Sequence, residues 1–199
     1  MKKYLLYILA IPFFAIILFY VFGTNNANYE ETLKKSRESR IHFLKNSSQS
    51  PFANSNNFFH DGFYDANKEF RTSGSVTINP KTQQLALAMS GGQVETYIYY
   101  GDITFDLLGK EHEIILFQNL NNNSEFLIPF GDETNGKTTY GAGRHLPVHY
   151  SGGEHIILDF NTAENPYCAY NPDYSCPLPP QKNILEIPVT AGEKSFNKH

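Results

Sequence analysis

Hydrophobic and polar positions follow three different rules along this chain. From Tyr4 to Phe22 the residues are apolar without a break, after Met1-Lys2-Lys3. A membrane-crossing helix needs about 20 apolar residues at 1.5 Å each, so the run predicts an anchor over Tyr4–Phe22. Pro12 is tolerated inside such a helix. A cleaved signal peptide is the competing reading, but its apolar core is usually only about 7–15 residues. Gly23-Thr24-Asn25-Asn26-Ala27 also offers a poor cleavage site. Lys2 and Lys3 favour an inside N-terminus, and Lys34, Lys35, Arg37 and Arg40 pull the other way. The expectation is a single-pass membrane protein, held in the lipid bilayer by its N-terminal helix, with its soluble part extracytoplasmic.

The spacing then becomes helical. Asn28 followed by Glu31 has the form of a capping box. Glu30/Lys34 and Glu31/Lys35 stand at i,i+4 in the favourable order. A helix is predicted from about Tyr29 to Leu44, with the narrow apolar face Leu33, Ile41, Leu44 of a polar spacer. Asn46–Asn57, rich in Ser, Asn and Pro, reads as a loop.

From Ser73 the period changes to two. Val76 and Ile78, then Leu85, Leu87 and Met89, then Ile103, Phe105 and Leu107 alternate with smaller or polar residues. Asn79-Pro80-Lys81, Gly91-Gly92, Gly101-Asp102, Gly109-Lys110 and Asn121-Asn122-Asn123 read as turns between them. Further strands are expected over Glu111–Gln118, Phe126–Phe130, His155–Phe160 and Ile184–Val189. The fold class is therefore mostly β: an antiparallel β-sandwich or partly open barrel, preceded by the transmembrane helix and the short polar helix. Phe105, Leu107, Ile115, Phe117, Ile128 and Ile157 are expected in one core. The chain divides into an anchor (1–23), a helix and linker (24–57) and a β domain (58–199) with a Cys/Pro-rich end.

Composition alters this picture in two places. Aromatic residues reach 15% without any Trp, and such Tyr and Phe rings suit sheet faces. A net charge of −4 with no basic block argues against nucleic acid as a partner, since phosphates call for a concentrated cationic face.

The densest polar chemistry lies between Thr138 and Lys194. Cys168 and Cys176 are the two cysteines of the chain. Outside the cytosol a disulfide is their simplest use, against free structural thiols, a metal site or a Cys–His nucleophile. His145, His149 and His155 are near in sequence, yet no Cys-x-x-Cys or His-x-x-Cys spacing appears, so no metal is assigned. No cofactor is implied either.

Arg144 stands in Tyr140-Gly141-Ala142-Gly143-Arg144. An Arg beside glycines can clamp a carboxylate or phosphate bidentately; the alternative is an internal ion pair. Ser151-Gly152-Gly153-Glu154 is a hairpin signal. A two-residue loop there places Arg144 opposite Asn161 and gathers Arg144, Asp159 and Asn161 on one surface. A three-residue loop turns Asp159 to the other face. Glu193 either closes the same site or ends the last strand. Asn165 and Asn183 are expected to bond to nearby backbone and organise irregular segments.

The runs TYGAGR, LDFN, NP-x-CA, CPLPP-x-x-N and AGEK resemble the bacterial family catalogued as domain of unknown function 1684. SRESRIHFLKNSSQSPF, GDITFDLLGKEHEIILFQ and FLIPFGDETNGKTTYGAGR also follow its order, so the resemblance covers roughly residues 35 to 194. The family's Gly-Arg pair is usually followed by Tyr-Leu and an acid, where this chain has His145-Leu146-Pro147. The resemblance implies no established activity. Three readings are carried forward: a domain binding a small anionic ligand through Tyr140, Arg144, Asp159, Asn161 and Glu193; a hydrolase using the same residues with a nearby histidine; and a structural envelope domain.

Overall fold

The computed structural model describes residues 28–53, 58, 62–122 and 124–196. They divide into two compact units, with the boundary between Ser39 and Arg40. The apolar run Tyr4–Phe22 lies outside the described residues. Among those that are described, no helix is long and apolar enough to cross a membrane, and the expected single-pass membrane location is corrected accordingly.

Helix α1 spans residues 28–46, two residues longer than expected at its end. In its first unit Lys35 pairs with Glu31 at 2.7 Å and Lys34 with Glu38 at 3.9 Å. These exposed pairs at one-turn spacing each contribute about 0.3–0.5 kcal/mol. In the second unit the last turns are firmly held. Leu44 is wholly buried with Phe52 and Tyr170, and Phe52 sits 5.3 Å from the Tyr170 ring.

The second unit is built on one curled, half-barrel sheet. Its strands are β1 (Arg71–Ala88), β2 (Val94–Leu107), β3 (Lys110–Gln118), β4 (Phe126–Asp132), β5 (Arg144–Leu146), β6 (His155–Asp159) and β7 (Ile184–Leu185). The order is β5-β4-β3-β2-β1-β6, and β7 adds to β4. All pairings are antiparallel except β7 with β4. Of the two architectures expected, the partly open barrel is the one formed.

Two expected turns are absorbed into long strands. Asn79–Lys81 forms a bulge inside β1, where the register with β2 shifts between Ile78 and Gln83. Gly101-Asp102 lies within β2 because Gly101 allows a close approach: a Cβ there would stand 2.4 Å from the Thr77 carbonyl oxygen. Bulges increase local twist, which suits a sheet that curls. The β2–β3 link is a tight two-residue turn, with Leu108 at φ 53 and Gly109 at φ 76 between the paired residues Leu107 and Lys110.

The expected single core is two cores, one on each side of the sheet. Phe105, Leu107, Ile114, Leu116 and Ile128 line the inner face with Phe130, Leu158 and Phe160. Ile115 and Phe117 point the other way and pack with Leu87. Successive strand residues face opposite sides, so a strand apolar at four consecutive positions, Ile114–Phe117, is covered on both. Ile157 is corrected to the outside. It is 48% exposed, while its neighbours Ile156 and Leu158 are buried.

The expected hairpin between Arg144 and Asn161 is not formed. β5 pairs with β4, bringing Arg144 opposite Phe130, and β6 pairs with β1, bringing Asp159 opposite Arg71. The two strands stand at opposite ends of the strand order. Pro147, one residue beyond β5, cannot donate to a ladder, and pairing along that segment stops there.

Candidate functional site

Residues 160–194 contain little regular structure and are fixed by side chains instead. Strands β3 and β4 pair only at Phe117/Leu127 and Gln118/Phe126. The same register continued would put Ile115 opposite Pro129, which has no N–H to give. The Asn183 carboxamide fills the gap. Its oxygen accepts from Ile115 N at 2.7 Å, and its nitrogen donates to Ile115 O at 3.1 Å and Pro129 O at 2.9 Å. Asn161 treats Asn67 in the same way, accepting from its N–H at 2.9 Å and donating to its carbonyl at 2.8 Å. A carboxamide has the donor and acceptor of a peptide unit, so each residue replaces a missing strand.

Arg144 is the centre of this frame. Its side chain is fully buried and donates to Asp132 Oδ2 at 2.9 Å. It also donates to the carbonyls of Val189 (2.9 Å), Ala191 and Glu193 (3.3 Å). One guanidinium thus gathers three carbonyls of the segment 189–193, which turns at Gly192 (φ +77). Asp132 holds the same segment from its other oxygen, accepting from Val189 N at 3.2 Å, and that oxygen also accepts from its neighbour Thr134 N at 2.8 Å. The Arg144 guanidinium carbon lies 5.1 Å from the centre of the Phe130 ring, a cation–π contact. Burial pulls the Arg144 pKa down and Asp132 opposes that pull.

Two glycines of the motifs make the approach possible. At Gly143 (φ +90) a Cβ would lie 2.7 Å from Phe130 O and 2.5 Å from Pro179 Cγ. At Gly192 (φ +77) it would meet Ala163 O at 2.6 Å. Both positions combine positive φ with contact to backbone, and only glycine serves there.

A second ionic group secures the end of α1. Arg40 donates to Glu193 Oε1 at 3.2 Å and to Asn165 O at 2.9 Å, and pairs with Glu164 at 3.2 Å. Glu193 Oε2 accepts from Asn165 N at 2.6 Å and from the Tyr170 hydroxyl at 2.5 Å. Desolvation raises the Glu164 pKa, with Arg40 opposing it. Desolvation and then the Glu193 charge raise that of Tyr170.

The five expected ligand residues are thus distributed over separate places. Arg144 binds Asp132, which the sequence reading missed although it follows the apolar run of β4 as abruptly as Asp159 follows Ile156-Ile157-Leu158. Asp159 caps the 3₁₀ turn Phe160–Thr162 through Asn161 N (3.1 Å) and pairs with Arg71 at 3.4 Å. Asn161 bridges Asn67, and Glu193 joins Arg40 while lending its carbonyl to Arg144. Tyr140 is half-buried beside the cysteines. Neither Arg40 nor Ser90 was singled out in the sequence, because their partners lie far along the chain.

Cys168 and Cys176, expected as a disulfide, are both free thiols in the structure. Cys168 N donates to Cys176 Sγ at 3.3 Å, and the Tyr140 hydroxyl donates to Cys168 Sγ at 3.9 Å. Ser90 in turn fixes Cys176 from both sides: Ser90 N donates to Cys176 O at 2.8 Å, and Cys176 N to Ser90 Oγ at 3.0 Å. The hydrogen bond from Cys176 holds the Cys168 thiol well below its usual range, with burial opposing and Ser90 and Tyr140 assisting. Cys176 is pushed up by the same bond and by burial. Burial and the charge on Cys168 push Tyr140 up to about 12. Among the described residues no group of His, Cys, Asp and Glu could hold a metal ion.

No curated protein matches the chain. A solution NMR structure of an uncharacterized protein from Haloarcula marismortui is similar, with 31% identity and a TM-score of 0.68 over 88% of this chain and 99% of that one. A family model described as a protein of unknown function, DUF1684, matches residues 56–194. The glycines, the buried arginine and the bridging asparagines lie inside that span, and the chain belongs to the DUF1684 family.

Proposed function

We propose that the chain is a structural domain whose shared motifs form an internal polar frame, holding the irregular segment 160–194 against a curled sheet. One observation carries this reading: the Arg144 side chain has no solvent exposure and is bonded to Asp132 and three backbone carbonyls. An anionic ligand would have to displace those partners inside the core. A hydrolase needs a base within reach of a nucleophile. The nearest histidine in the chain, His145, instead directs Nε2 at the Pro177 carbonyl, 3.3 Å away.

The test is thermal denaturation of the wild type and of Arg144→Lys, each with and without inorganic phosphate or citrate. Lys cannot reproduce the fork of donors, so Arg144→Lys is expected to melt well below the wild type, with both proteins indifferent to the anions. Saturable stabilisation of the wild type by phosphate or citrate, lost in Arg144→Lys, would overturn the frame in favour of an anion site.

A further inference from the structure

The frame leaves one reactive group unused, the thiol pair below Tyr140. The Tyr140 hydroxyl donates to Cys168 Sγ at 3.9 Å, and Cys168 N donates to Cys176 Sγ at 3.3 Å, which brings the phenol and both cysteines together. Hydrogen bonds that favour the charged form are what convert an ordinary thiol into a nucleophile. Cys168 keeps part of its surface in solvent, while Cys176 is buried at 8% exposure. The roles are therefore unequal: one sulfur can be reached from outside, and the other is held behind it by Ser90.

We propose that Cys168 and Cys176 form a redox-active dithiol whose substrate is a hydroperoxide, with Cys168 as the attacking sulfur and Cys176 as the resolving one. The Cys168 thiolate attacks the outer peroxide oxygen, an S–O bond forms, and the O–O bond breaks. The sulfur is oxidised to a sulfenic acid, and the peroxide leaves as an alkoxide or hydroxide that takes up a proton from solvent. Cys176 Sγ then attacks the Cys168 sulfur, the S–S bond forms, and the S–O bond breaks. Hydroxide leaves with the Cys176 proton as water. Two equivalents of a small thiol restore the pair by exchange.

This goes beyond the frame reading, which assigns the cysteines no chemistry. It also differs from a purely structural disulfide, which would be formed once and would resist a glutathione buffer.

The test is treatment of the reduced full chain with stoichiometric hydrogen peroxide, followed by peptide mapping and intact mass spectrometry. The wild type is expected to lose two hydrogens, as a Cys168–Cys176 disulfide that glutathione reverses. Cys176→Ser is expected to gain one oxygen at Cys168, captured by a cyclic dione, and Cys168→Ser to stay unmodified. Tyr140→Phe is expected to slow the Cys168 reaction by about threefold to tenfold at neutral pH through the lost hydrogen bond to the thiolate. If a serine variant fails to fold, the reversible disulfide in the wild type still decides the matter. Reaction of Cys168 no faster than in the urea-unfolded chain would overturn the proposal. So would a disulfide that glutathione cannot open.

Discussion

His145 gives this fold an acid-sensitive point whose size follows from its surroundings. It lies on β5, with its N–H donating to Glu164 O and its carbonyl accepting from Glu164 N, both at 2.9 Å. Its ring faces the Pro177 carbonyl at 3.3 Å, and a carbonyl only accepts, so Nε2 carries the proton of the neutral ring. Part of the residue stays accessible, yet desolvation dominates: burial lowers its pKa from 6.5 to about 4, the bond to Pro177 opposes this, and the Arg40 charge adds to it. The folded value is depressed, so the neutral ring is the form the fold prefers. Above pH 6.5 the ring is neutral in folded and unfolded chains alike, and its contribution is fully present. As pH falls below that, the unfolded chain takes up a proton that the fold refuses, and stability drops until the folded value is reached. Across the interval from 6.5 to about 4, at ~1.4 kcal/mol per pH unit, the loss reaches roughly 3 kcal/mol. His145→Gln keeps a donor for Pro177 and does not titrate. Urea denaturation of both proteins between about pH 7 and pH 4 is the assay. His112, whose pKa is likewise lowered by burial, and Glu164, raised by burial, titrate in both proteins and cancel in the difference. The wild type should lose ~2–3 kcal/mol more than His145→Gln on acidification. Parallel stability curves would refute the reasoning.

Three further outcomes are expected. Arg144→Met removes the guanidinium and leaves Asp132 buried without its cation, which should cost ~3–5 kcal/mol in chemical denaturation; a variant of near wild-type stability would contradict the frame. Gly143→Ala forces a side chain into positive φ against Phe130 O and should cost well over ~1 kcal/mol, read as a lowered melting temperature. Phe117→Ala empties a fully buried position on the outer face of the sheet and should cost ~3–5 kcal/mol, read the same way.

The strands that alternate were legible because burial on one face imposes a period of two, and Ile103-Phe105-Leu107 shows it plainly. Ile114–Phe117 was legible as a strand but not as a partition between two cores, since a continuous apolar run carries no facing information. The pairing of β5 failed for a different reason. A Gly-Gly loop specifies that the chain turns, not which strands lie beside it, and β6 found its partner in β1 far upstream. Arg144 could be read as needing an anionic partner. That the partner is Asp132 rather than Asp159 is set by the β4–β5 register, which three residues of β5 cannot announce. Glycines 143 and 192 were visible as motif positions, but their reason, a carbonyl within van der Waals range of a missing Cβ, exists only in three dimensions.

Arg144 and Asp132 together have a bearing on the order in which the domain can be made. Their partners late in the chain are the N–H of Val189 and the carbonyls of Val189, Ala191 and Glu193. Val189 and Ala191 are themselves completely buried with the residues of β3, β4 and β6. A ribosome that has delivered every strand up to β6 has therefore delivered a sheet with an open seam, two opposed charges inside it and none of the three carbonyls that the guanidinium also binds. Folding of such a chain waits on residues 189–193, which close the seam from within. A nascent chain stalled before Val189 should thus remain open to protease, and one extended past Glu193 and clear of the exit tunnel should become resistant in a single step.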